Sequence, residues 1–241
     1  MAKPVYLRIM SYNIKTGSES SLASIAGVIT TEKPDIVGLQ EVDEGTNRSN
    51  KVAQTTEIAK LAGFPHSYFG ANFPFDGGKY GLAILSKTAL VNPRVIRMDA
   101  RTERANGYEP RIAVAAETVV GGKTITFVTM HASLHEEERA GNAKAVVDAL
   151  GPNRAPTIVT GDMNETPKNG IGNAFIAAGL ADAHAEKTGN PLEGLTAPAN
   201  FPTKRIDMAY KDKAFGKTQY SWVPNTTASD HRPVMVTFDS P

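Results

Sequence analysis

Strand-length apolar runs recur along this chain, and several of them end on a carboxylate, an amide or an imidazole. Leu39-Gln40-Glu41-Val42, Gly161-Asp162-Met163-Asn164 and Ser229-Asp230-His231 are the clearest cases. A strand end is rigid and half-exposed, so polar groups carried there by different strands can meet at a sheet rim without burying unpaired charge. The first such run alternates Val5, Leu7 and Ile9 with Tyr6, Arg8 and Met10, the period of a strand with one face more buried than the other. Leu22, Ile25, Ala26 and Ile29 follow at helical spacing up to Pro34. The run over 35–42 then reads as a buried strand with Gln40-Glu41 at its polar end.

The pattern continues in the same alternation. A helix is expected over 52–62, opened by Ser49 or Asn50 and closed by Gly63. Residues 72–79 read as a loop before a strand over 80–85, and 89–98 as another strand. A polar, arginine-bearing surface loop fills 99–110. The runs 114–120 and 123–130 flank Gly121-Gly122, a pair suited to the positive φ angles of a tight hairpin, which delivers His131. Ser133 and Glu136 have capping-box spacing at the head of a helix ending at Gly151. A strand over 157–160, a helix over 171–178 and a loop over 191–202 precede strands over 205–210, 219–223 and 233–238. Hairpins mixed with helical crossovers argue for an α/β protein with mixed sheets and helices on the outer faces. No repeat or composition break divides it, so one domain over 1–241 is expected.

Composition excludes some chemistry. The chain has 241 residues and no cysteine, which removes disulfides, zinc fingers and thiol catalysis while leaving the compartment open. A formal net charge of +1 provides no global field for non-specific nucleic-acid binding, although a local basic groove is compatible with it. No secretory leader or membrane-spanning window is evident, so the expectation is a soluble monomer, cytoplasmic or secreted with its leader removed. Convergent carboxylates and amides without thiolates suit a hard divalent cation, Mg²⁺ or Mn²⁺.

Singly, Glu41 reads equally as an exposed strand terminus, Asp162 and Asn164 as turn residues, and Asp230-His231 as a polar turn. Together they carry a resemblance. Ser11-Tyr12-Asn13, Leu39-Gln40-Glu41-Val42, Tyr80-Gly81-Leu82-Ala83-Ile84-Leu85-Ser86, Thr129-Met130-His131, Gly161-Asp162-Met163-Asn164, Arg205-Ile206-Asp207 and Ser229-Asp230-His231-Arg232-Pro233 resemble, in order, the motifs of the endonuclease/exonuclease/phosphatase superfamily. The resemblance implies a deoxyribonuclease-I-like four-layer α/β/β/α sandwich, two packed mixed β-sheets flanked by helices, with the site at one edge. It implies Glu41 as principal metal ligand, with Asn13 and Asp230 contributing. It further implies Asp162 as the group that orients or deprotonates water, Asn164 as an amide donor to the phosphoryl oxygens, and His231 on the scissile phosphate, held by Asp207. His131, placed to protonate the leaving oxygen, is similar to the deoxyribonuclease-I-like and sphingomyelinase-like branches.

The substrate follows less directly. A metal-dependent phosphodiesterase, an endonuclease on DNA or a general phosphodiesterase, is the leading expectation. A sphingomyelinase-like lipid phosphodiesterase, a small-molecule phosphatase and an inactive binding module on the same scaffold are the alternatives. Arg48, Tyr80 and Arg111 are the expected substrate contacts, with Arg101, Arg104, Lys51, Lys79 and Lys168 as further rim cations. Phe69, Phe73 and Phe75 fit either a modest membrane-docking hairpin or the core. His66, His135 and His184 match no motif and are expected on the surface.

Overall fold

A computed structural model describes residues 6–99, 104–105, 108–152 and 154–241. Two six-stranded mixed sheets pack face to face. The first is assembled from β1 (Tyr6–Asn13), β2 (Ile36–Glu44), β3 (His66–Phe75), β4 (Gly78–Ser86) and two late strands that lie in its other half. The second begins with β5 (Val91–Arg97), β6 (Ile112–Val120), β7 (Lys123–His131) and β8 (Thr157–Asp162), and adds β9 (Leu180–Asp182) and β10 (Asp207–Asp212). The two late strands of the first sheet are β11 (Thr218–Trp222) and β12 (Val234–Asp239). In space the orders are β11-β12-β1-β2-β4-β3 and β5-β6-β7-β8-β10-β9.

Each sheet has one parallel pair, at its centre: β1 with β2 and β7 with β8. Parallel neighbours need a crossover, and helices provide it. α1 (Leu22–Glu32) joins β1 to β2, and α3 (Glu136–Leu150) joins β7 to β8, with α2 (Gln54–Ala62) between them in sequence. α4 (Gly170–Ala177) and α5 (Ala183–Thr188) follow.

Three apolar clusters correspond to the three interfaces between four layers. Ile9, Ile36, Ile84, Val114, Phe127, Ile158 and Val236 meet between the sheets. Val128, Val146, Val159 and Phe175 lie under α3 and α4, and Met10, Tyr12, Ile25, Val37 and Ile58 under α1 and α2. A central strand is therefore apolar on both faces. This corrects the one-sided reading of β1, whose residues from Leu7 to Asn13 are buried except Arg8.

Other local readings shift. Gly121 and Gly122 do make the β6–β7 turn, both at positive φ (57° and 82°). The expected loop over 72–79 is instead a hairpin, with Phe73 and Phe75 paired to Tyr80 and Gly78 across an Asp76-Gly77 turn. Turn residues were concentrated at the tip and masked the strand to either side. α2 starts later than expected, because Ser49 Oγ is committed to Thr46 and Asn50 takes a positive φ, so neither caps it. Ser133 makes no capping box with Glu136; its hydroxyl accepts the His135 N–H and donates to Glu138. β10 begins two residues later than expected, and the short β9 and α5 lack a sequence period long enough to register.

Candidate active site

The C-terminal ends of both central parallel pairs lie at the same rim. Asn13 ends β1, Glu41 sits near the end of β2, His131 ends β7 and Asp162 ends β8. His131 and Asp162 are register partners, and Asp162 also pairs with Asp207 at the start of β10. The crevice beyond the carboxyl ends of parallel strands is a recurrent ligand position in α/β proteins.

Two local devices point the side chains inward. The β2–β4 register slips between Leu39 and Val42, and Glu41 adopts a positive φ of 56° at that irregularity. Such bulges re-aim side chains next to active sites, here at the cost of a left-handed backbone. Gly161 permits close approach of β7 and β8: a Cβ there would lie 2.0 Å from the Met130 carbonyl oxygen.

Asn13 joins the sheets. Its Nδ2 donates to Glu41 Oε1 at 2.9 Å and to Asp162 Oδ2 at 3.0 Å, while its Oδ1 accepts the Lys15 N–H. Asp162 Oδ1 accepts the Asn164 N–H at 2.8 Å. Its Oδ2 lies 3.4 Å from His131 Nε2 and 3.8 Å from His231 Nε2. His231 Nδ1 in turn meets Asp207 Oδ2 at 2.8 Å. Asn164 Nδ2 donates to the Ala132 carbonyl. Seven of the expected residues, Asn13, Glu41, His131, Asp162, Asn164, Asp207 and His231, thus form one linked constellation.

Their electrostatics diverge. Burial, then the Asp207 charge, raises the Asp162 carboxyl to about 7. Burial alone would lower His231, but the Asp207 carboxylate outweighs it, with Asp162 and Asp230 adding, and His231 rises to about 10. His131 is held well below its ordinary value by burial first, then by Arg111 and His231. Glu41 is raised by burial, opposed by its Asn13 hydrogen bond and reinforced by Asp230.

The donor set fits a hard divalent cation. Glu41 and Asp230 repel each other across the site, and Asp207 Oδ1 is buried without a hydrogen-bond partner among the described residues. Ligand atoms of Asp162, Asp207 and His231 lie within 4.8 Å of one another, a possible metal site. Asp207 and His231 are already bonded to each other, and Glu41 Oε1 accepts the Asn13 N–H.

Asp230 stands apart from the constellation. Its carboxylate is gripped by Lys15 Nζ at 3.1 Å, and Lys15 also binds Glu19. Arg48 is locked bidentate to the buried Asp43, at 2.7 and 2.8 Å, with its guanidinium 4.5 Å from the Phe75 centroid. Tyr80 and Arg48 line a cavity of about 310 Å³ that opens at Glu41. Arg111 is buried and paired with Glu109 at 2.9 Å, and its charge acts on His131. Arg104 is exposed at the cavity, and Arg101 lies outside the described residues. Lys51 donates to the Gly77 carbonyl, and Lys79 and Lys168 are exposed.

Sequence reasoning missed Lys15, Asp43, Glu109 and Thr196. Thr196 Oγ1 accepts the Asp207 N–H at 3.3 Å and so helps hold the start of β10. The only available signal was proximity, Lys15 two residues after Asn13 and Asp43 two after Glu41. His184 is a correction: it is buried, with Nδ1 2.7 Å from Ser221 Oγ. His135 stacks on Tyr108 with centroids 4.1 Å apart.

The model of the Endonuclease/Exonuclease/phosphatase family matches residues 10–231. The chain is similar to a solved endonuclease/exonuclease/phosphatase family protein from Leptotrichia buccalis, with 17% identity over 97% of this chain and 100% of that one and a TM-score of 0.79. It is similar to another from Bacteroides thetaiotaomicron, with 20% identity over 98% of each chain and a TM-score of 0.77. A mannosyl-6-phosphatase from the same organism has 19% identity over 97% of this chain and 100% of that one, with a TM-score of 0.76. No curated protein matches in sequence.

Proposed function

The chain belongs to the endonuclease/exonuclease/phosphatase family, and from that premise we propose that it is a divalent-metal-dependent phosphoric ester hydrolase of the phosphodiesterase type. Members of the family are phosphoric ester hydrolases. The observation that carries the reading is the geometry of the constellation. Asp162 Oδ2 lies 3.8 Å from His231 Nε2, His231 Nδ1 is held by Asp207 at 2.8 Å, and Asn13 bonds Asp162 to Glu41. Burial and then the Asp207 charge raise Asp162, while the Asp207 charge, outweighing burial, raises His231. Acid and base pushed apart by their surroundings are what hydrolysis at neutral pH requires.

Asp162 takes a proton from water at Oδ2, while the Asn164 N–H fixes Oδ1. His231, kept charged by Asp207, donates from Nε2 to the phosphate or its leaving oxygen. His131, held below its ordinary value by burial, lies with Nε2 3.4 Å from Asp162 Oδ2, beside the same carboxylate as His231. Asn164 has one amide hydrogen committed to Ala132 and one for a phosphoryl oxygen. Glu41 would hold Mg²⁺ or Mn²⁺, with Asp230 and Asn13 contributing. The ion would supply Lewis-acid polarisation of the phosphoryl oxygens.

The test is hydrolysis of bis-p-nitrophenyl phosphate with Mg²⁺, with Mn²⁺ and with EDTA. Turnover that appears only with metal and disappears in Glu41→Ala is expected; no turnover with either ion would contradict the proposal.

A further inference from the structure

The β1–β2 ladder stops short of the side chains it delivers. Its last register pair is Asn13 with Gln40, and the Ile14 N–H to the Gln40 carbonyl, at 3.1 Å, closes it. Past that point the two chains part. Lys15 and Thr16 take φ angles of 43° and 53°, while Glu41 enters its bulge at 56°. Left-handed backbone at non-glycine residues persists only where the contacts around it over-determine it.

One buried amide supplies such contacts on both sides. Gln54 is the first residue of α2, yet both of its polar atoms are spent on the exits of two neighbouring strands. Its Oε1 accepts the Asp43 N–H at 2.9 Å, just past Glu41. Its Nε2 donates to the Thr16 carbonyl at 2.7 Å, just past Asn13. The side chain thus continues, beyond the last ladder bond, the link between the strands that carry Asn13 and Glu41.

The link reaches the site through the backbone. Thr16 adjoins Lys15, whose N–H donates to Asn13 Oδ1 at 3.1 Å. With that oxygen fixed, the Asn13 nitrogen faces Glu41 Oε1 and Asp162 Oδ2. On the other side Asp43 is itself anchored, its carboxylate bound by Thr46 and Arg48. Gln54 therefore ties the turn that aims Asn13 to a fixed point beside Glu41.

We propose that Gln54 is a positioning residue for the divalent cation, setting the spacing and aim of Asn13 and Glu41 without touching ion or ester. It rests on the metal site of the hydrolase reading above.

The test is the Mn²⁺ affinity of the folded chain, read from loss of the free-ion electron paramagnetic resonance signal. The unaltered chain, Gln54→Met and Gln54→Asn are compared, with melting curves in EDTA and turnover of bis-p-nitrophenyl phosphate alongside. Methionine keeps the length and removes both polar atoms; asparagine keeps the amide but is too short to span both partners. Each variant should bind Mn²⁺ roughly tenfold or more weakly, the usual size of a lost supporting contact. The Mn²⁺ concentration for half-maximal turnover should rise with it, while KM for the ester stays within about twofold. If melting curves show Gln54→Met unfolded, Gln54→Asn is read in its place. Variants that melt lower yet bind Mn²⁺ within about twofold of the unaltered chain would make Gln54 a packing residue and overturn the proposal. Absence of Mn²⁺ binding by the unaltered chain overturns the metal site and the proposal together. Mn²⁺ binding without turnover overturns the hydrolase reading alone, and the affinities then decide the role of Gln54 by themselves.

Discussion

Asp207 shows how one buried carboxylate sets the chemistry of its neighbours. One oxygen holds His231 at 2.8 Å, the other has no hydrogen-bond partner among the described residues, and its charge raises both His231 and Asp162. It touches neither water nor phosphate in the proposed reaction, so it is a positioning residue. Asp207→Asn keeps the shape and removes the charge. We expect kcat on bis-p-nitrophenyl phosphate to fall by roughly 10–100-fold, the usual size of such supporting contacts, with KM little changed. An unchanged kcat would show that His231 needs no anionic partner. The place of Asp162 at a rim was legible from position, because a strand end followed by a turn carries it there, whereas the roles proposed for Asp162 and His231 came from the resemblance of the motifs taken together. The pairing of Arg48 with Asp43 was not legible. A free arginine and a locked one have the same local sequence, and only folding places Phe75 beside it.

The segment from β9 to β10 illustrates what elements add. Arg205, buried, binds Asp182 bidentate at 2.7 and 2.8 Å and also donates to the Pro191 carbonyl, tying the intervening loop to the second sheet. Removing one member strands the other charge, so Arg205→Ala should cost about 3–5 kcal/mol in urea unfolding. A loss below about 1 kcal/mol would mean that the loop is held by other contacts. At the head of α5, His184 is depressed below its ordinary value by burial first and by Arg205 second. The unfolded chain therefore takes up this proton before the folded chain does as pH falls. The stabilisation is complete above the unfolded value of about 6.5 and is lost as pH drops through the lower folded value. The melting temperature should fall less between pH 7.5 and pH 5.5 in His184→Gln than in the unaltered chain; an equal fall would remove His184 from the acid response. This region was hard to read in advance, since β9 and α5 together span only Leu180–Thr188 and tertiary contacts, not periodicity, define them.

For the molecule as a whole, two sheets each centred on a parallel pair bring four strand ends to one rim, and Asn13 bonds across the interface to Asp162, 149 residues away. The class of fold could be read from alternating strand and helix patterns. Spatial strand order could not, because β4 lies between β2 and β3, and β12 beside β1, through contacts that no local pattern encodes. The motif residues converged because their strands run to a common edge; of the expected rim cations in the described residues, Arg48 and Arg111 are held by carboxylates, as is Lys15. The central claim is that this rim hydrolyses phosphoric esters with Asp162 as base and His231 as charged donor. Steady-state turnover of bis-p-nitrophenyl phosphate in Mn²⁺ by the unaltered chain, Asp162→Asn and His231→Gln tests it most directly. A drop in kcat of about 10²–10⁴-fold in each variant, with folding retained, is the predicted result; kcat within about threefold of the unaltered chain in both would contradict it.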